Sequence, residues 1–367
     1  MTEDWHLFRG NGQQREKATE ILKNLEPPPW RKFGQWSDLE NSQEIRDRWP
    51  EIRQLAKKRE REQLRGKNFR LYTEASENQE LSSDIRDVIN AVNAAIYLRR
   101  PLLVTGNPGS GKSTLAYAIA HELDLGTVLS WSITARTTIQ EGLYRYDAIG
   151  RLQDAQQGEE LHIGNYIKLG ALGTAFLASD LPRVLLIDEI DKSDINLPND
   201  LLNLLEEGQF PIDELVRRSP KNNSEKNEIE PFTINTQDEG IEAVIEDGWV
   251  RCQAFPIIVM TSNGERDFPP AFKRRCLRIT MPDPKKEGLE AIVKAHFGDE
   301  KFNEYADIIN SLISEFLDEG KANKIARNRA TDQLLNTIYV LTCSLSPKAK
   351  DEESVKNLLL KRLSDND

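Results

Sequence analysis

The chain has 367 residues, more than one ordinary domain needs, so a core with one or two appendages is expected. Its net charge of −11, with 30% charged and 38% hydrophobic residues, is that of a globular protein and argues against a broadly nucleic-acid-binding surface. Cys252, Cys276 and Cys343 lack metal-ligand spacing and suit a reducing compartment, and the scattered His6, His121, His162 and His296 form neither a metal cluster nor a nucleophile-activating group.

No apolar run approaches membrane-spanning length, and Met1 to Phe8 lacks the basic and apolar regions of a secretory leader, so a cytoplasmic location is expected. Residues 1–30 stand apart: Trp5, Phe8 and Gly10 form a short aromatic segment, and Glu26 to Trp30, with three prolines, reads as a stiff extended linker. The aromatic side chains either dock on a partner or pack back on the body of the protein. Residues 31–70 are polar. From residue 43 they read as helical and turn basic, with Arg53, Lys57, Lys58, Arg59, Arg61, Arg65, Lys67 and Arg70. Glu51, Glu60 and Glu62 interleave at ion-pair spacing, which favours a solvated face over a nucleic-acid-binding helix. From Leu81 to Arg99, Ile85, Val88, Ile89, Val92, Ala95 and Ile96 recur at helical spacing as a core stripe.

The apolar run Pro101 to Thr105 predicts a buried strand, and directly behind it Gly106, Asn107, Pro108, Gly109, Ser110, Gly111, Lys112 and Ser113 fit G-x-x-x-x-G-K-[ST]. Glycines let the backbone close around phosphates, and the helix predicted from Thr114 to Leu123 offers its positive N-terminus. Lys112 can reach the β and γ phosphates, and Ser113 places a hydroxyl where a Mg²⁺ bound to them would sit. Such a pattern arises by chance in a chain of this length about once or twice in a hundred.

The segment from Tyr144 to Leu169 is longer than a plain helix connection, broken by Gly150, Gly158 and Gly164. Val184 to Ile187 is a short buried-strand pattern ending in Asp188 and Glu189, two carboxylates at the end of a strand where open α/β sheets bind ligands. Behind a phosphate loop, Asp188 reads as the Mg²⁺ partner and Glu189 as the group that orients and polarises the attacking water. The leucines of Leu201 to Glu207 read as a core helix face. Residues 217–247 form a second insertion, polar from Ser219 to Glu228. Phe255 to Ser262 predicts another apolar strand, delivering the Asn263 amide to the same sheet edge. Phe268 to Arg275 follows, and its Lys273, Arg274 and Arg275 are either a solvated helix end or the source of an arginine supplied in trans to a neighbouring subunit's phosphates. After Pro284 the pattern is helical throughout.

Taken together, Gly106 to Ser113, Asp188 to Lys192, the strand ending at Asn263, the Phe-Pro-Pro-Ala segment with its arginines, and Asn328 to Thr331 resemble MoxR-type AAA+ ATPases of the helix-2-insert clade, over roughly residues 71–345. The resemblance implies an α/β fold: a P-loop AAA+ core with a five-stranded parallel sheet, followed by an α-helical lid domain. Expected divisions are an arm at 1–30, a polar and basic helical segment at 31–70, the core at 71–282 with inserts at about 144–169 and 217–247, and the lid at 283–367. By resemblance, Lys112 and Ser113 are the Walker A pair, with Thr114 beside them in the nucleotide site, Asp188 and Glu189 are the Walker B pair, Asn263 matches sensor 1 and Arg329 matches sensor 2. Arg275 is the finger, with Arg274 its rival. The first insert resembles the helix-2 hairpin that points to a ring's pore.

The resemblance also implies ATP and Mg²⁺ as cofactors, a homo-oligomeric ring that is usually a hexamer, and a protein client or a von Willebrand factor A type partner. Nucleic acid and membrane insertion are not expected. Hydrolysis that drives remodelling of a partner is the leading expectation. A nucleotide-dependent switch that frees the arm to recruit an effector is a second, and a nucleic-acid-dependent ATPase a third. Two departures stand out: Asp191 and Lys192 replace the family's usual Asn-Arg pair, and Asn263 sits in Thr-Ser-Asn-Gly rather than Thr-x-Asn-Pro.

Overall fold

The structure is a computed structural model that describes residues 5–33, 43–72, 81–158, 162–218, 231–322, 330–343, 345–347 and 349–360. Among the described residues, the helices α1 (Ala18–Asn24), α2 (Gln43–Lys58), α3 (Glu60–Lys67) and α4 (Ser83–Leu98) precede the first strand. In α4 the buried residues Val88, Ile89, Val92, Ala95 and Ile96 are the predicted helical stripe. There follow β1 (Leu102–Thr105), α5 (Lys112–Glu122), β2 (Leu129–Ser132), α6 (Ile139–Leu143), β3 (Tyr144–Tyr146), α7 (Ala148–Gln156), β4 (Ile167–Leu169), α8 (Ala171–Ala175) and β5 (Val184–Asp188). The next stretch holds α9 (Leu197–Glu207), β6 (Gln209–Pro211), α10 (Asp213–Val216), β7 (Phe232–Asn235), β8 (Glu242–Ile245), β9 (Trp249–Arg251), β10 (Ile257–Ser262), α11 (Pro270–Lys273) and β11 (Leu277–Thr280). The last described elements are the helices α12 (Lys286–Phe297), α13 (Asp299–Glu304), α14 (Ala306–Ala322), α15 (Thr331–Leu341) and α16 (Ala349–Leu359).

The central sheet is parallel, in the order β11-β1-β10-β5-β2. Its middle strands are buried on both faces, which is why β1, β5 and β10 read as unbroken apolar runs and not as alternating ones. Two hydrophobic clusters cover its faces, one built with α4 and α5 and the other with α8 and α9. The closing helices pack around a core of their own, in which Leu289, Ile309, Ile313, Leu334 and Ile338 are buried. The fold is a P-loop AAA+ core followed by a helical lid.

Both insertions lie off this sheet, and they are joined to each other. The first is β3-α7-β4, interposed between α6 and α8, with β3 and β4 antiparallel. In the second, β6 and β9 form an antiparallel ladder from which β7 and β8 extend as a hairpin; residues 219–230 lie outside the described residues. Strand β7 pairs with β4 in parallel, Lys168 opposite Asn235, giving one four-stranded sheet in the order β3-β4-β7-β8. At the turn after β7, Asp238 is tied to the core by a buried ion pair with Arg183 at 2.6 Å and by the Thr127 hydroxyl, which donates at 2.8 Å.

The N-terminal arm lies against the core from Leu7 to Gly12. Asn93 on α4 is fully buried. Its Oδ1 accepts from the backbone N–H groups of Leu7 at 2.6 Å and Phe8 at 3.0 Å, and its Nδ2 donates to the Phe8 carbonyl at 2.8 Å. Glu122, at the end of α5, accepts from the N–H groups of Arg9, Gly10 and Gly12. Leu7 and Phe8 are buried, whereas Trp5 and Trp30 are exposed. The basic helices are packed as well: Arg53 pairs with Asp124 at 3.0 Å and Arg59 with Glu62 at 3.2 Å. Helix α3 lies directly on α5, where a Cβ on Gly66 would meet the Tyr117 carbonyl oxygen at 2.4 Å, so only glycine permits this approach.

Burial pushes the Asp238 carboxyl up, but the Arg183 charge together with the hydrogen bonds from Arg183 and Thr127 leaves the pKa below its ordinary value. Replacing Asp238 with Ala strands a buried guanidinium and is expected to cost about 3–5 kcal/mol of unfolding free energy, measured by denaturant titration. With the folded-state pKa depressed, the pair's contribution is complete above about pH 4 and is lost as the pH falls through the folded-state value. The gap between wild type and variant should therefore narrow in acid.

Candidate functional site

Register brings the polar groups together. Thr105 is level with Ser262 and Met260 with Ile187, so the residues that follow β1, β10 and β5 emerge at one edge of the sheet. Gly106, Gly109 and Gly111 have φ values of 145°, 75° and 90°, which let the loop behind β1 curl over the N-terminus of α5. Lys112 is buried, and its ammonium donates to the carbonyls of Gly106 at 2.8 Å and Asn107 at 2.9 Å. Burial lowers its pKa, opposed by the negative fields of Asp191, Asp188 and Glu189.

Asp188 Oδ1 accepts from the Ser113 hydroxyl at 2.7 Å and the Thr261 hydroxyl at 2.6 Å. Thr261 Oγ1 in turn accepts from the Glu189 backbone N–H at 2.9 Å. Glu189 has a φ of 61°, a left-handed conformation that costs a non-glycine residue about 1–3 kcal/mol and turns the chain sharply out of β5. Its carboxylate Oε2 accepts from Lys192 Nζ at 2.8 Å, with both side chains partly exposed. Asp191 is buried and turns the other way: Oδ2 accepts from the N–H groups of Asn263 at 2.9 Å and Glu265 at 3.1 Å, holding the turn after β10.

These groups border a cavity of about 1060 Å³ lined by the loop from Pro108 to Thr114, by Asp188, Glu189 and Asn263, by Met281 to Lys285, by parts of α12 and α15, and by residues 61–72. Ala330, at the start of α15, packs on Gly109. Asn107 donates to Asp283 at 2.9 Å, fastening the loop to the chain leading into the lid. Whether the cavity fits a nucleotide with Mg²⁺ is tested by its own atoms. The loop has the glycine conformations that turn N–H groups inward, Ser110 Oγ is buried without a partner among the described residues, and Ser113 with Asp188 forms a hydroxyl-carboxylate donor set suited to a hard cation. The residues fit.

Of the residues expected from sequence, Pro108 to Thr114, Asp188, Glu189 and Asn263 border one cavity, with Gly106 and Asn107 behind its loop. Arg274 and Arg275 do not line it: Arg274 is exposed, and Arg275 pairs with Glu206 of the same chain. Arg329, like Asn328, lies outside the described residues. Sequence reasoning missed Thr261, Asp191 as a cap on the turn at Asn263, and the whole wall formed by residues 61–72. The signal for Thr261 was present, since a hydroxyl at the end of a buried strand beside Asp188 needs a polar partner.

Residues 101–276 match the family profile of the AAA domain, dynein-related subfamily. That segment with its lid carries the architecture and phosphate loop of an AAA+ ATPase. No curated protein matches the chain. Among solved structures, NtrX from Brucella abortus shares 13% identity with a TM-score of 0.36, over 72% of this chain and 50% of that one, so the chain spans about half its length; a likeness of this degree carries no argument. No helix among the described residues is long and apolar enough to cross a membrane.

Thr261→Val keeps the side-chain volume but removes the hydroxyl between Asp188 and the Glu189 backbone. Loss of a hydrogen bond to a charged group predicts about a tenfold or greater fall in kcat for ATP hydrolysis, together with a lowered melting midpoint because the Glu189 N–H is left unpaired. A phosphate-release assay and a thermal melt on the same preparation check both halves.

Proposed function

We propose that the protein binds ATP with Mg²⁺ and hydrolyses it within a homo-oligomeric ring, using the cycle to remodel a partner protein. The observation that carries this is the convergence of Lys112, Ser113, Asp188, Glu189 and Asn263 on one cavity at the carboxyl edge of β1, β10 and β5.

Lys112 and the loop N–H groups hold the β and γ phosphates, and Ser113 and Asp188 hold the Mg²⁺. The ion supplies charge neutralisation on those phosphates. Glu189 orients and deprotonates the attacking water, and Asn263, fixed through its backbone by Asp191, aligns it. Glu189 must part from Lys192 to do so, because Lys192 occupies a carboxylate oxygen that would otherwise face the water. Arg329 reads the γ phosphate from the lid, in keeping with the packing of its neighbour Ala330 on Gly109.

The finger comes from an adjacent subunit. Arg274 suits the role better than Arg275, because it is exposed while Arg275 is engaged by Glu206. Client handling falls to the inserts: α7 buries none of its residues and presents Ile149 and Leu152 to solvent. The MoxR type, with a von Willebrand factor A partner, is the finer reading, supported by the paired inserts. The anchoring of Leu7 to Gly12 by Asn93 and Glu122 does not favour a freely released arm, and the pairing of Arg53 with Asp124 and of Arg59 with Glu62 takes charges that a nucleic-acid helix would need.

Glu189→Gln should bind ATP with near wild-type affinity while turnover falls at least about a hundredfold. Wild-type turnover in that variant would remove Glu189 from its role. With ATP trapped, mass photometry should show a closed multimer of about six subunits; a persistent monomer would count against the ring. In mixed assemblies, Arg274→Ala subunits should be rescued by Lys112→Ala subunits that retain Arg274. Rescue required by Arg275→Ala instead would move the finger.

A further inference from the structure

Helix α3 lies before the segment that matches the AAA domain, yet it forms one wall of the nucleotide cavity. Gly66 lets it sit directly on α5, and one face of α3 carries Arg61 and Arg65 one turn apart. Both border the cavity together with the loop from Pro108 to Ser113 and with Asp188. The Arg65 guanidinium lies 4.1 Å from the centre of the Tyr117 ring. Tyr117 is one turn along α5 from Ser113, on the same face, and Arg65 and Ser113 line the same cavity.

Neither guanidinium has a carboxylate partner among the described residues, and Glu62, between them on the helix, is taken by Arg59. Two arginines facing a cavity without a carboxylate partner suit the one anionic part of a nucleotide, because the planar fork bonds phosphate oxygens in pairs. We propose that Arg61 and Arg65 bind the polyphosphate of the nucleotide, so that α3 supplies cis-acting phosphate ligands in addition to the loop and the lid. This rests on the reading of the cavity as the ATP site. The Tyr117 ring holds the Arg65 side chain by stacking, so little freedom is lost when phosphate arrives.

The test uses the full chain with fluorescent ATP and a fluorescent adenosine that lacks phosphates, titrated against wild type, Lys112→Ala, Arg61→Ala, Arg65→Met and Arg65→Lys. Arg65→Met keeps an apolar stem against Tyr117 without the charge, and Arg61→Ala alters an exposed helix position that has no packing to lose. The expected result is that Arg65→Met and Arg61→Ala each weaken ATP binding, the former about tenfold. Arg65→Lys should recover only part of the affinity lost in Arg65→Met, because the charge returns without the fork, and adenosine binding should be unchanged throughout. ATP binding at wild-type strength in both charge-removing variants, with binding lost in Lys112→Ala, would overturn the role of the arginines and leave the site intact. Equal losses for ATP and adenosine would also overturn it, showing that the arginines only hold α3 in place. Undiminished ATP binding by Lys112→Ala would instead overturn the reading of the cavity itself.

Discussion

Three parallel strands ending level with one another impose the arrangement on which the rest of this molecule depends. Once Met260 lies beside Ile187 and Thr105 beside Ser262, the next residue on each strand has nowhere to go but a shared polar edge. Asp188 then finds Thr261 and Ser113 within hydrogen-bond reach, and a carboxylate that would be costly to bury alone is satisfied by two hydroxyls. The geometry that lowers that cost is the same geometry that offers a divalent cation its ligands. Stability and chemistry at this edge are therefore hard to separate, and the strained φ of Glu189 is held there by the Thr261 hydroxyl that receives its N–H.

The tail of the Walker B segment shows how adjacent residues are given opposite tasks. A turn of 3₁₀ helix after Glu189 sends Asp191 inward to cap the backbone at Asn263, and Lys192 outward to hold the Glu189 carboxylate. Asp191 and Lys192 are the positions at which the sequence departs from the common MoxR pattern. The departure keeps an acceptor for the turn after β10 and keeps a cation beside the candidate base, with lysine in place of arginine.

The strand-loop-helix around Lys112 and the apolar strands that deliver Asp188 and Asn263 were legible because each rests on a short local pattern: an unbroken apolar run followed by a polar group. The wall formed by α3 was not, because its charges interleave as they would on a solvated helix, and the residue that decides its packing, Gly66, reads as a helix-weakening position until its neighbour Tyr117 is known. Asn93 and Glu122 were hidden for a related reason. Each is a polar residue in an apolar stretch, and the backbone groups it satisfies lie more than eighty residues away in sequence. The pairing of β4 with β7 is likewise a long-range match between two short strands, with no turn between them to announce it.

That last pairing constrains how the protein can change, both in motion and over evolutionary time. A single ladder through Lys168 and Asn235 makes the two insertions one plate, pinned to the core through the Arg183–Asp238 pair. Both β3-α7-β4 and β7-β8 are thereby tied to the same point on the core. A graft that exchanges one insertion for that of a relative would leave an unmatched strand edge, so the two are best regarded as one heritable unit.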